Sequence, residues 1–303
     1  MKSKCTVIIG MMAMICFFVA GTAVCLAQTE GKIGQKEWSK IIESKVAEQV
    51  GDTGIINYED GYVEAVGIGA VDTAKIKGSN ARPMCLRAAT VVAYRNLLEV
   101  TKGVQIDSQT TIRDFVTESD VINAAISGFV KGARAVNTDY LSDGTCEVTL
   151  RMSLSGKLTQ TIVPKAIQEE QKRESSPPPP VKTEPAPAGA PVYTGMVVDA
   201  RGLGARPAMS PKIVDETGAE VYGSMVVDKT FAVSQGISGY ARDLTAAQGN
   251  QRVTNNPLTV KGVSAEGAGK ADIKISNDEA RQIRSASENL SFMKKCRVMI
   301  VLD

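Results

Sequence analysis

Residues 165–191 constrain the architecture more than any other stretch of the chain. Seven of its twelve prolines fall there, four of them consecutive at Pro177–Pro180, with Pro185, Pro187 and Pro191 following among alanine and glycine. Proline fixes φ and removes a backbone donor, so a run of this kind joins neither a helix interior nor a sheet ladder. The stretch predicts an extended, semi-rigid linker of polyproline II character, with recognition by a proline-binding partner as the lesser alternative. A linker there leaves two domain-sized segments, residues 55–164 and 192–303, with residues 28–54 as an N-terminal helical segment.

The first 27 residues read as a removable leader. Lys2 and Lys4 precede an apolar run from Val7 to Cys25, which ends in Cys25-Leu26-Ala27. The run is short for a membrane-spanning helix and is broken by Gly21-Thr22. Cleavage after Ala27 is the expectation, ahead of an uncleaved anchor. Lipidation at Cys25 is the sharper alternative, although Val24 puts a branched side chain where lipoprotein signals carry a small one. The expected address is the periplasm or the periplasmic face of the outer membrane, with membrane contact by association or through that lipid.

Charge and composition then exclude several classes. Removing Lys2 and Lys4 from 35 basic residues leaves 33, against 33 acidic ones. A chain of zero formal charge is a poor polyanion binder, so no nucleic-acid partner is expected. The chain has no histidine. Imidazole-based zinc sites, Ser-His-Asp and Cys-His catalysis are therefore ruled out. Past the leader three cysteines remain, Cys85, Cys146 and Cys296, each on an apolar face, where small core residues are the simplest reading. At most one pair can close within the chain. A Cys85–Cys146 disulfide suits an oxidising compartment, but spacing does not decide it.

The pattern around 37–50 carries Trp38, Ile41, Ile42, Val46 and Val50 as one helical stripe, suited to packing on the domain or, less simply, to a partner. Ile55–Tyr58 and Tyr62–Ala70 read as strands about a Glu59-Asp60-Gly61 turn. A long helix follows, capped near Ser79 or Asn80 and stopped by Gly103, with Cys85, Ala88, Ala89, Val92, Ala93 and Leu97 on its buried face. So many alanines imply close approach to a sheet. Val104–Ser108 reads as a strand. A helix over 120–130 turns Val121, Ile122, Ala125, Ile126 and Phe129 inward. The closing hairpin, Val136–Leu141 and Thr145–Leu154 about Asp143-Gly144, alternates with period two.

In the second half, strands are expected at 193–200, 258–263, 271–275 and 296–302, with a hairpin of 212–214 and 220–222. Helices are expected at 239–248 and, behind Ser276 or Asn277, at 278–288. The fold class is α+β: two small domains, each a mainly antiparallel sheet covered by helices.

The run Val63-Glu64-Ala65-Val66-Gly67-Ile68-Gly69-Ala70, with Arg87-Ala88-Ala89, Asn96-Leu97-Leu98-Glu99-Val100 and Gly103-Val104, resembles the LPP-twenty lipoprotein family. It is also similar to the N-terminal module of flagellar assembly proteins of the FlgP and FlgT type. The resemblance covers residues 55–156. The second half, through Tyr193-Thr194-Gly195, Val198–Gly204, Pro211-Lys212-Ile213 and Val221-Tyr222-Gly223, is similar to a tail of unassigned function joined to this module in exported proteins of Gram-negative bacteria. The resemblance implies an envelope protein that acts by assembly, in rings about a flagellar motor or in structures at the outer membrane.

The best candidate for a ligand or interface site is the loop Arg201–Pro211. Gly202 and Gly204 permit unusual backbone angles, and Asp199, Arg201 and Arg206 could hold an anion or a sugar. It lacks the third glycine and the βαβ context of a dinucleotide fingerprint, and no phosphate loop occurs. Ser210 and Ser234 have no histidine base, and Asp278-Glu279 suits a helix N-terminus better than acid–base chemistry. No catalytic residue, cofactor or metal is expected. A noncatalytic envelope protein that associates with itself or with other envelope proteins is the leading expectation. A periplasmic module for peptidoglycan, glycan or an anion through that loop is the alternative. A carboxylate-only enzyme comes last.

Overall fold

The structure is a computed structural model that describes residues 33–72, 75, 78–173, 193–285 and 287–303. The expected leader, Cys25 and the proline run lie outside the described residues. The first half contains helix α1 (Ile33–Ser44) and strands β1 (Ala47–Val50), β2 (Gly54–Asn57) and β3 (Tyr62–Ala70). Helices α2 (Ala81–Lys102), α3 (Ile112–Glu118) and α4 (Asp120–Lys131) follow, then β4 (Arg134–Tyr140), β5 (Thr145–Ser153) and α5 (Lys157–Arg173). The five strands form one antiparallel sheet in the order β1-β2-β3-β5-β4. Both expected turns are present, and Gly61 and Gly144 take φ of 70° and 85°, angles that glycine adopts without penalty.

Alternation along β3 sends its odd and even residues to opposite faces. Val63 and Ala65 join the core cluster under α2, while Val66 packs with Ile55 and Trp38 of α1. The alanine face of α2 comes as close to the sheet as its composition implies. A Cβ on Gly67 would lie 2.1 Å from the Ala93 amide nitrogen, and one on Gly69 would lie 2.4 Å from the Cys85 carbonyl oxygen. Cys85 and Cys146 form a disulfide across 5.8 Å between Cα atoms, tying α2 to β5, while Cys296 is a buried free thiol.

Several first-half expectations need correction. The helical stripe stops at Ser44, whose hydroxyl donates back to the Lys40 carbonyl at 2.8 Å, and β1 begins at Ala47. Val46 and Val50 are four apart, a spacing that fits a strand as well as a helix, and pairing with β2 decides between them. Trp38 is buried against this protein's own sheet. Val104–Ser108 is a tight loop: the Asp107 carboxylate accepts the Gln109 and Thr110 amides at 2.8 Å each. In α4, Val121 points outward at 79% exposure and Val130 is buried in its place. The first nine residues of the expected linker are helical, since residues 165–173 continue α5 through Pro164. Burial of Ile162, Val163, Ala166 and Ile167 and a 2.9 Å Lys165–Glu169 ion pair outweigh the donor lost at that proline.

The second half contains β6 (Gly195–Asp199), β7 (Ile213–Val214), β8 (Glu220–Tyr222), helix α6 (Lys229–Gln235) and β9 (Gly239–Ala241). Helix α7 (Leu244–Gln248), β10 (Pro257–Glu266), β11 (Asp272–Ile275), α8 (Asn277–Arg284), α9 (Ser287–Lys294) and β12 (Val298–Val301) complete it. Its seven strands run in the order β8-β7-β11-β10-β6-β12-β9. The sheet is mixed rather than mainly antiparallel: β6 pairs in parallel with β10 and β12, β12 with β9, and β7 with β11. The central strands show why. Met196-Val197-Val198 and Val298–Val301 are buried on both faces, the continuous apolar run typical of parallel strands. The expected helix over 239–248 divides into β9 and α7 at Asp243, whose carboxylate caps α7 by accepting the Ala246 amide at 2.7 Å. Ser276 caps α8 through a reciprocal box with Glu279, and a separate helix, α9, follows.

The whole is α+β, with each sheet covered by helices, and from Ile33 onward it forms one compact unit. Val63, Ala65 and Leu97 of the first half and Met196, Ile273 and Ile300 of the second belong to one apolar cluster.

Candidate functional site

The loop after β6 is held at both ends by its own charges. The Arg201 guanidinium donates twice to the Asp199 carboxylate, Nε to Oδ1 at 2.8 Å and Nη2 to Oδ2 at 2.7 Å. That contact holds the Asp199 carboxyl below its usual range. Gly202, at φ 77°, donates its amide to both side-chain oxygens of Asp303 at 3.0 and 2.8 Å. Gly204 is also left-handed, at φ 63°. Arg206 reaches into the first half, where Nε and Nη2 donate to the Glu48 carboxylate at 3.0 and 3.1 Å. Its own amide donates to the Lys270 carbonyl at 2.9 Å.

Beyond Arg206 the loop becomes the seam between the two sheets. Met209 and Ser210 donate their amides to the carbonyls of Gln105 and Ile106 at 3.0 and 2.7 Å. The Tyr240 hydroxyl accepts the Ala208 amide at 2.9 Å and donates to the Ala208 carbonyl at 2.7 Å. Its ring meets Tyr58 edge-on, with centroids 6.1 Å apart. The seam continues through polar pairs. The Ser108 hydroxyl donates to Asp272, Lys212 pairs with Glu170, and Arg242 donates to the Lys45 carbonyl at 2.9 Å. Oδ1 of Asp272 is buried without a hydrogen-bond partner, and burial raises the pKa of this carboxyl. The structure therefore brings Asp199 and Arg201 together, and places Arg206 in a cross-seam ion pair.

Ala208 and Met209 also form part of a cleft of about 300 Å³ along the seam. One wall carries Tyr58, Asp60, Ser153 and Ser155, the other Ser234, Tyr240 and Arg252. The Arg252 guanidinium donates from Nη1 to the carbonyls of Gly236 and Cys296 at 3.2 and 2.8 Å, and from Nη2 to that of Gln235. Burial lowers its pKa. Arg252 carried no signal in the sequence, because one arginine in a polar turn looks like any solvated arginine. Only folding sets it on a cleft wall.

Burial raises the Cys296 thiol to about 11, so it stays protonated at neutral pH. Ser210 is buried, and the Ser234 hydroxyl donates to the Phe231 carbonyl at 3.1 Å. The described residues contain no group of three or more potential metal ligands.

Comparison with known proteins locates a likeness in the second half. Residues 195–303, about a third of the chain, match the family model for the second domain of Treponema pallidum Tp0624. The match begins at β6 and spans the whole second sheet, so this segment resembles a domain of unassigned function. No curated protein matches the chain.

Proposed function

We propose that this is an exported, noncatalytic cell-envelope protein with a structural or assembly role, in association with the outer membrane or a flagellum. The observation that carries the assembly half is the sheet edge at β4. Among the described residues its seven positions border β5 on one side only, and Val136, Tyr140 and the adjoining Leu141 are 47, 48 and 37% exposed. Unpaired edges with apolar side chains are templates for another chain. The export half rests on the leader and on the Cys85–Cys146 disulfide, since such bonds persist in oxidising compartments. The resemblance of residues 55–156 to the LPP-twenty and flagellar assembly modules supports the same reading. Ligand capture by Arg201 and Arg206 is the weaker reading, because both guanidiniums are already held by carboxylates.

Fractionation of the tagged native protein tests the proposal. Recovery with outer membrane or flagellar bases, in particles far heavier than one chain, is the expected result. A soluble monomer, or a cytosolic protein with its leader intact, would refute it.

A further inference from the structure

We infer that the seam cleft is a binding site for a small carboxylate-bearing ligand, with Arg252 as its anchor. This inference does not depend on the envelope reading. A guanidinium has five N–H donors. Three of the hydrogen bonds at Arg252 go to main-chain carbonyls, which leaves Nε–H and one Nη2–H without a protein acceptor among the described residues. Carbonyl dipoles share the charge but do not neutralise it, and a half-buried cation without a carboxylate is costly.

The acids nearest the cleft are committed elsewhere. Asp60 pairs with Lys45 at 2.5 Å and accepts from Asn57 at 3.0 Å, while Glu59 accepts the Val46 amide at 3.1 Å. Burial lowers the pKa of Arg252, with Tyr222, Cys296 and Tyr240 acting the other way. The described residues thus place a guanidinium on a cleft wall and include no carboxylate paired with it.

A planar pair of N–H donors matches a carboxylate. The remaining lining selects the rest of the ligand. Ser153, Ser155 and Ser234 offer hydroxyls, and the volume of about 300 Å³ admits a molecule the size of one sugar or a dipeptide. An acidic sugar and a peptide C-terminus share this chemistry. Either would bridge a wall from each half of the chain, and so would stabilise the seam in proportion to its occupancy.

The competing account is that Arg252 only closes the end of α6, where it takes the Gln235 and Gly236 carbonyls. Titration of the full chain, followed by NMR, separates the two. The probes are D-glucuronate and N-acetyl-alanyl-alanine, with methyl glucoside and the C-terminally amidated dipeptide as neutral controls. Saturable shifts of seam resonances with at least one acid, and none with its neutral control, are expected, and the acid that binds identifies the source. Arg252→Gln should weaken binding by about tenfold or more, as for loss of a charged hydrogen bond, and Arg252→Lys by less. Ser155→Trp fills the cleft mouth from the opposite wall without touching the carbonyl contacts of Arg252, and it should abolish binding even if Arg252→Gln fails to fold. No saturable shift with either acid at tens of millimolar, equal binding of the neutral controls, or undiminished binding in Ser155→Trp would overturn the inference.

Discussion

Where α2 lies on β3, contact is made by removing side chains: Gly67 and Gly69 face Ala89, Ala93 and Cys85, and a disulfide locks the arrangement. Where the second sheet meets the first, polar pairs flank the shared apolar cluster: Arg206 with Glu48, Lys212 with Glu170, Ser108 with Asp272. The two surfaces respond to different disturbances. The first depends on shape, and interiors packed like crystals tolerate little added volume. The second depends on charge, so it answers to pH and salt as well as to mutation.

The largest effect should come from adding volume to the shape-matched surface. Gly67→Val places carbon where a Cβ would stand only 2.1 Å from the Ala93 nitrogen. It should cost about 3 kcal/mol, the upper range for overpacking a core. Urea denaturation followed by circular dichroism reads this directly. A loss under about 1 kcal/mol, below the usual range for overpacking, would mean that α2 can lift away from the sheet.

The seam should answer to pH instead. Burial first, and then Asp107 and Glu170, raise the Asp272 carboxyl above its ordinary value of 3.8. The folded state therefore holds this proton to higher pH than the unfolded chain does. Its stabilising contribution is complete below 3.8 and is lost as pH rises through the raised folded value. Asp272→Asn keeps an acceptor for Ser108 and has no charge to desolvate. It should stabilise the protein at neutral pH by about 1 kcal/mol, with the advantage vanishing in acid. Urea midpoints of both proteins at neutral and acid pH test this, and a gap that does not depend on pH would contradict the assignment.

The smallest effect belongs to Arg206→Ala. The Arg206 side chain is 53% exposed, so the ion pair with Glu48 is well screened and should be worth about 0.5 kcal/mol. That difference should shrink further in high salt. A much larger loss would show that the pair holds the two halves together, and not merely that it decorates the seam.

Legibility in the sequence follows the range of the interactions. The 143–144 turn and the cap at Ser276 are readable because neighbours in sequence set them, and the alanine face of α2 shows in its composition. The alternation of β5 holds only in part, since its polar positions Glu147 and Thr149 are buried at 1% and 4% while Arg151 and Ser153 are exposed. The failures sit where distant partners decide. Val46 and Val50 fit two periods, and β2 chooses the strand. Residues 165–173 have the polar composition of a linker, yet burial of Ala166 and Ile167 keeps them helical through a proline. The parallel pairing of β6 leaves only a trace in the sequence, an unbroken apolar run that suits any buried strand. In the candidate loop, the residue types and the glycine angles are visible. The partner of Arg206 is not, because Glu48 lies 158 positions away.

The sequence by itself determined an α+β chain in two sheet-forming halves, with no imidazole chemistry and a glycine-bearing strand made to receive an alanine face. These follow from composition and from periodicities of two and 3.6 residues, which need no knowledge of the rest of the molecule. The tertiary structure alone decided that the halves share one core, that the charges of the loop pair with Asp199 and Glu48, and that Arg252 stands on a cleft wall with no carboxylate partner among the described residues. Each of these depends on which distant group excludes water from which charge, and no local pattern encodes that.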